Sequence, residues 1–131
     1  MQDAVAAAIR SGLIRSAHDC SEGGLAVTLA ECCISGEKRL GAQIDLATLS
    51  GRSDDLLFNE APSRVVVSIL PGKEKLLQEI CKSAGTELCR LGTVGGPKLE
   101  IKIKGRTKPS VPVSKLYTAW YHSIAKALGE K

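Results

Sequence analysis

The chain has 131 residues, a formal net charge of +4 and 44% hydrophobic residues. That length fits one domain, and the apolar share is that of a globular protein, which excludes disordered and fibrous classes. Four aromatic residues, Phe58, Tyr117, Trp120 and Tyr121, are too few for a base-stacking nucleic-acid platform.

By the usual scaling, a chain of this size buries roughly two-thirds of the surface its unfolded form exposes, enough for a core without staples. The five cysteines fall at irregular spacings, and no two stand at the C-x-x-C gap of a zinc or redox motif. They read as buried or half-buried thiols in a reducing compartment, which points to the cytoplasm. No apolar run approaches the ~18 residues of a membrane span. Met1, directly before a helical pattern with no leading strand, reads as a start added to a piece of a longer protein.

Ala4, Val5, Ala8, Ile9 and Leu13 recur at helical spacing, with Gly12 at the stop, and predict a first helix. "LIRSAH" reads as a short strand. Leu25, Leu29 and Cys32 then share one face of a helix over 23–34, with Val27 and Ala30 beside them. "GAQIDLA" predicts a strand through Ile44 and Leu46. Residues 50–59 read as a loop with a short helical turn, and Arg64 to Leu70, with three consecutive valines, as the strongest strand in the chain.

Residues 73–84 predict a helix with Leu76, Leu77, Ile80 and Cys81 inward, closed by Gly85. "ELCRLGTV" and "LEIKIKG" read as strands joined in an antiparallel hairpin through "VGGPK". "KIKGRTK", Lys102 to Lys108, is the densest basic cluster and reads as a strand end and loop with a solvated face. After a loop containing Pro109 and Pro112, the residues Leu116, Trp120, Ile124 and Leu128 mark one final amphipathic helix. The expected fold class is α/β (α+β): a mixed β-sheet covered by helices, in a single domain over 1–131.

Chemistry concentrates in "AHDCSEGGLAV". Ser21 stands as a natural N-cap, Asp19 and Glu22 as acids near the positive end of the helix, and Gly23 and Gly24 as residues that let the backbone turn sharply. Two readings follow: a capped helix, or a turn that receives phosphate with a magnesium ion bridging to the acids. His18 is either a base or phosphate donor, or a hydrogen-bonded structural group. His122, among the aromatics of the last helix, reads as surface packing.

In "LFNEAPSR", Glu60 and Arg64 flank a bend. Either they pair with each other, or Arg64 meets a phosphate and Glu60 a hydroxyl or metal. Neither a Ser-His-Asp set, a P-loop lysine, HExxH nor a dinucleotide fingerprint is present. The chain has no self-sufficient catalytic set.

The pair "AHDCSEGGLAVTLAE" and "LFNEAPSRVVVSI" resembles the carboxy-terminal domain of the aminoimidazole ribonucleotide (AIR) synthetase superfamily, most closely in its phosphoribosylformylglycinamidine synthase branch. The resemblance runs through nearly the whole chain. It implies a domain of a larger ATP-dependent ligase of purine biosynthesis, in which ATP phosphorylates the formyl-amide oxygen of formylglycinamide ribonucleotide. Ammonia from a glutaminase component then displaces the phosphate. The catalytic histidine and main magnesium ligands are expected in amino-terminal domains, so this chain carries no catalytic residue and is inactive alone.

On the same resemblance, Asp19, Ser21, Glu22, Gly23, Gly24, Glu60 and Arg64 would line a nucleotide or substrate cleft, with Asp19 or Glu22 reaching a magnesium ion. ATP or ADP with magnesium would bind the full-length enzyme, and none tightly to this chain alone. Ala61-Pro62 departs from the small polar residues of related chains, and the proline removes an N–H donor at the bend. Expected partners are the remaining synthase domains and the glutaminase component, with weak self-association through surfaces left uncovered, and neither nucleic acid nor membrane. Alternatives are another member of the superfamily, of the selenophosphate synthetase or thiamine-monophosphate kinase type, or a free-standing binding module.

Overall fold

The computed structural model describes residues 1–129, and the side chains of all of these except Thr107 and Lys108. The elements run α1 (Gln2–Arg10), β1 (Ile14–Asp19), α2 (Gly24–Ile34), β2 (Ala42–Asp45), α3 (Ser53–Phe58) and β3 (Val65–Ile69). They continue with α4 (Glu74–Ser83), β4 (Gly92–Val94), β5 (Lys98–Ile103), β6 (Arg106–Pro112), α5 (Val113–Tyr121) and α6 (Ser123–Ala127). The strands divide between two sheets. Four form a mixed sheet of order β4-β2-β5-β6, with β2 and β5 parallel and the other pairs antiparallel. β1 and β3 form a separate antiparallel ribbon.

Alternation decides the main core. Ala42 and Ile44 of β2, with Leu99, Ile101 and Ile103 of β5, bury one sheet face in a cluster with Leu25, Leu29, Cys33 and Ile34 of α2. The opposite face shows Gln43, Asp45 and Lys102 to solvent, as expected for a sheet covered on one side. There Lys102 Nζ lies 3.3 Å from Asp45 Oδ2.

A second, smaller core joins Ala4 and Ala8 of α1 to Leu77 and Cys81 of α4, with Ile14, Val67 and Ile69 packed on it. Val66, which points the other way from β3, packs instead on the main core. The ribbon is covered on both faces, so successive valines replace an alternating pattern.

Several expectations are corrected. The "VGGPK" hairpin does not form: β4 pairs with β2, which lies between β4 and β5. The connector bridges two strand spacings, about 10 Å, and holds Gly41 from both sides, Gly41 N–H to Gly96 O and Gly95 N–H to Gly41 O, each 2.8 Å. Close approach selects glycine here, since a Cβ on Gly41 would sit 2.0 Å from Lys98 O. The true hairpin joins β5 to β6 through Lys104 and Gly105, both at positive φ (48° and 77°), as a primed turn requires.

Pro109 and Pro112 consequently belong to the edge strand β6, not to a loop, where a missing N–H costs no ladder bond. The strand predicted over 87–94 shortens to Gly92–Val94.

On α2, Cys33 turns inward and Cys32 is exposed, as is Cys89 on its loop, so not all thiols are buried. Leu76 of α4 is 46% exposed, because α1 covers only the Leu77 and Cys81 stripe. The last helix breaks at His122 into α5 and α6, where the Ser123 hydroxyl takes the Trp120 carbonyl at 2.9 Å.

The burial expectation also fails. The chain exposes 9205 Å², where a compact monomer of this mass exposes about 6,600 Å². It buries little more than half of its unfolded surface. Two layers, and a terminal helix pair that packs only through Val113, Leu116 and Tyr117 of α5, leave much of it open.

Candidate functional site

The ribbon brings the two motifs together. Asp19 ends β1 opposite Val65, the first residue of β3, and the next amide, Cys20 N–H, donates to Arg64 O at 2.9 Å. Residues 19–24 and 59–64 therefore leave the same end of one ribbon.

Gly23 and Gly24 are both left-handed, with φ of 77° and 64°, and Gly23 is the N-cap of α2. Ser21, the expected cap, does not cap the helix: its hydroxyl donates to Asp19 Oδ2 at 3.1 Å. The Gly24 N–H closes a turn onto Ser21 O at 3.0 Å, which places Ser21 a turn too early to reach the first helical amides.

The Gly23 N–H is held from 37 residues away. Glu60 Oε1 accepts a hydrogen bond from Gly23 N–H at 2.8 Å. Glu60 and Arg64 thus do not pair with each other. Arg64 turns back onto its own bend, where Nε donates to Ala61 O at 3.2 Å and a terminal guanidinium nitrogen to Asn59 O. The bend is tightened further by Asn59, whose Oδ1 accepts Ala61 N–H at 2.6 Å and whose amide donates to Asp55 Oδ1 at 2.9 Å.

Gly24 meets this bend closely: a Cβ there would lie 2.7 Å from Asn59 O and 2.8 Å from the Phe58 carbonyl carbon. The second glycine of the pair is demanded by backbone packing as well as by φ.

Two groups behind the turn escape the motif reading. Thr28, almost fully buried, donates to Gly24 O at 3.0 Å and approaches Asp19 O at 3.3 Å, tying the helix to the strand end. Asn59 is the second. Its signal was available, since Asn two residues before a bend is a common Asx turn. His18 is structural: Nδ1 donates to Asp19 O at 2.8 Å and Nε2 faces Glu31 Oε2 at 3.4 Å. His122 packs edge-on against Tyr121, as expected.

Asp19 and Glu22 stand in solvent at the mouth of the turn. Arg64 has no carboxylate partner among the described residues. No group of three His, Cys, Asp or Glu side chains gathers there as a metal cage among the described residues. The donor set is short of a self-contained magnesium site, so ligands from outside this chain would be needed. Nor is a nearby thiol activated. Burial around the Cys32 sulfur, then Cys33, Cys20 and Glu31, pushes its pKa from the ordinary 9.0 up to about 11.

A mixed sheet backed by helices, with a glycine turn and a stitched bend at one end of a two-stranded ribbon, defines an α/β domain. The chain belongs to the family described as AIR synthase related protein, C-terminal domain, whose model matches residues 1–104. It is similar to phosphoribosylformylglycinamidine synthase subunit PurL of an Anaeromyxobacter species, 39% identical over 98% of this chain and 17% of the relative. The same subunit of Moorella thermoacetica is 36% identical over 95% of this chain and 16% of the relative. The chain therefore spans about a sixth of the length of these relatives.

Among solved structures, it resembles Thermotoga maritima PurL complexed with ATP, with a TM-score of 0.77 and 22% identity over 87% of this chain and 20% of that one. PurL of that organism complexed with FGAR gives a TM-score of 0.76 at the same identity and coverage. This likeness shows the fold.

Proposed function

We propose that this chain is the carboxy-terminal domain of a phosphoribosylformylglycinamidine synthase subunit of the cytoplasm. The observation that carries the reading is a 39% match running through 98% of the chain. The convergence of the glycine turn and the 59–64 bend supports it, because both motifs then face one cleft. In the whole enzyme, ATP phosphorylates the formyl-amide oxygen of formylglycinamide ribonucleotide. Ammonia from a glutaminase component attacks that carbon, and phosphate leaves to give the amidine.

This domain supplies a wall rather than a reacting group. Gly23 and Gly24 hold the α2 amide end open to the cleft, and Glu60 and Thr28 fix that turn. Arg64, with donors to spare beyond its two carbonyls, offers the positive charge for a phosphate. Asp19 or Glu22 would hold a magnesium ion whose remaining ligands come from other domains, and Ser21 orients Asp19.

That ATP, ADP, AMPPCP and FGAR complexes are known for the similar T. maritima PurL supports a nucleotide-facing and substrate-facing role. Alone, the chain self-associates weakly through uncovered surface and holds no nucleotide tightly.

The test has two arms. The full-length protein containing this segment is assayed for ATP-dependent amidine formation, and the 131-residue chain is assayed in parallel. Activity in the first and none in the second is the expected result. A full-length protein without synthase activity overturns the synthase reading, and amidine formation by the short chain overturns the non-catalytic one. Titration with magnesium-ADP, followed at the amides of Gly23, Gly24 and Arg64 in the full-length protein, locates the wall.

A further inference from the structure

Resting on the reading above, we infer that the exposed face of α5 and α6 is the seat by which this domain docks onto the rest of the synthase subunit. It receives an apolar groove rimmed by carboxylates. Trp120 is 59% exposed, Ile124 73% and Leu128 72%. Trp120 stands on α5, and Ile124 and Leu128 on and just after α6, at four-residue spacing, and the domain's own core leaves all three uncovered.

An aromatic and cationic cluster lies beside them. Tyr117 and Tyr121 stack at 5.1 Å, and the Arg39 guanidinium lies 3.3 Å from the Tyr117 ring centroid. Trp, Tyr and Arg are the residue types that dominate the energetics of protein interfaces.

Three observations choose the occupant. First, the excess of exposed surface, on the order of 2,600 Å² over a compact monomer, far exceeds the ~800 Å² per partner of a standard interface. A chain that spans 17% of its relatives has the remainder of such a protein to cover it.

Second, the general domain family matches only residues 1–104, whereas the synthase relatives match 98% of the chain. The α5–α6 segment is thus shared with synthases but lies outside the general family match, and its partner belongs in the synthase. Third, α5 and α6 carry Lys115 and Lys126 and no carboxylate, with Arg39 beside them, so the matching surface is acidic at its rim.

Oxidative footprinting of the active full-length protein tests this directly. Trp120 in the native protein should oxidise about fivefold or more slowly than in the same protein unfolded in urea, as a desolvated anchor would. Protection should persist on dilution. Ile124→Glu should lower the thermal midpoint of the full-length protein while leaving Trp120 more open to oxidation.

Equal oxidation of native and unfolded protein would leave the face free and overturn the inference. Protection lost on dilution would assign the face to a second copy and overturn it too. Amidine formation, measured on the same sample, separates the outcomes: an inactive wild type means the synthase reading failed, and an active one with an open face means only the docking inference failed.

Discussion

At Gly24 a single hydrogen atom in place of a side chain lets the start of α2 lie against the end of α3. Gly24→Ala would drive a Cβ to 2.7 Å from Asn59 O at a φ of 64°, where backbone rather than a flexible side chain must move. The expected loss is about 2–4 kcal/mol from combined strain and overpacking. Gly12→Ala, also left-handed at 69° but with nothing within 4 Å, should cost about 1 kcal/mol. Urea unfolding of the two variants checks the contrast.

Glu60 makes a different prediction. Glu60→Gln keeps an oxygen for the Gly23 N–H and should leave its hydrogen exchange slow, whereas Glu60→Ala should speed it. Among the thiols, exposed Cys89 should alkylate before Cys32 at pH 8, read by peptide mass. The raised Cys32 pKa means the neutral thiol stabilises the fold fully below pH 9. That contribution is lost as pH rises from there through about 11.

Between elements, the parallel pairing of β2 and β5 sets Asp45 beside Lys102. The Ala47 N–H, at 2.9 Å from Asp45 Oδ1, is the larger cause holding this carboxyl below its ordinary 3.8, and Lys102 is the smaller. Lys102→Met should therefore raise the Asp45 pKa only in part, by NMR titration of the carboxyl. Because the folded pKa is lowered, the stabilisation is present above pH 3.8 and fades as pH falls below it.

The elements themselves were largely legible: α1, α2 and α4 follow apolar periodicity, and β5 alternates as Leu99, Ile101 and Ile103 require. Pairing was not. "VGGPK" carries a turn signal that fits either a hairpin or a passage over an inserted strand, and only the burial of Ala42 and Ile44 beside Leu99 and Ile101 decides between them.

Over the whole molecule, two small cores share one ribbon; α5 touches the main one through Val113, Leu116 and Tyr117, and α6 lies outside both. A chain that hides little more than half of its unfolded surface should show a urea m-value about a fifth below that of a compact domain of its length. Equilibrium unfolding of the 131-residue chain measures it. Joining the domain to its parent should raise its apparent stability, because the exposed side chains of Trp120, Ile124 and Leu128 are then removed from water.

The sequence by itself determined most of the helices and strands, the sharp turn at Gly23-Gly24 and the family resemblance. Each of these depends on a few neighbouring residues, on φ preference and on apolar period. Only the tertiary structure decided that β2 lies between β4 and β5, that Glu60 holds the Gly23 N–H while Ser21 turns to Asp19, that Arg64 folds back onto its own bend, and that α6 and the outer side of α5 stand open. Those outcomes join residues up to 57 positions apart, as at Ala42 and Leu99 in the sheet or, 37 apart, Gly23 and Glu60 at the turn. They are set by which buried faces and unpaired amides find one another when the chain closes, a competition that no local stretch encodes.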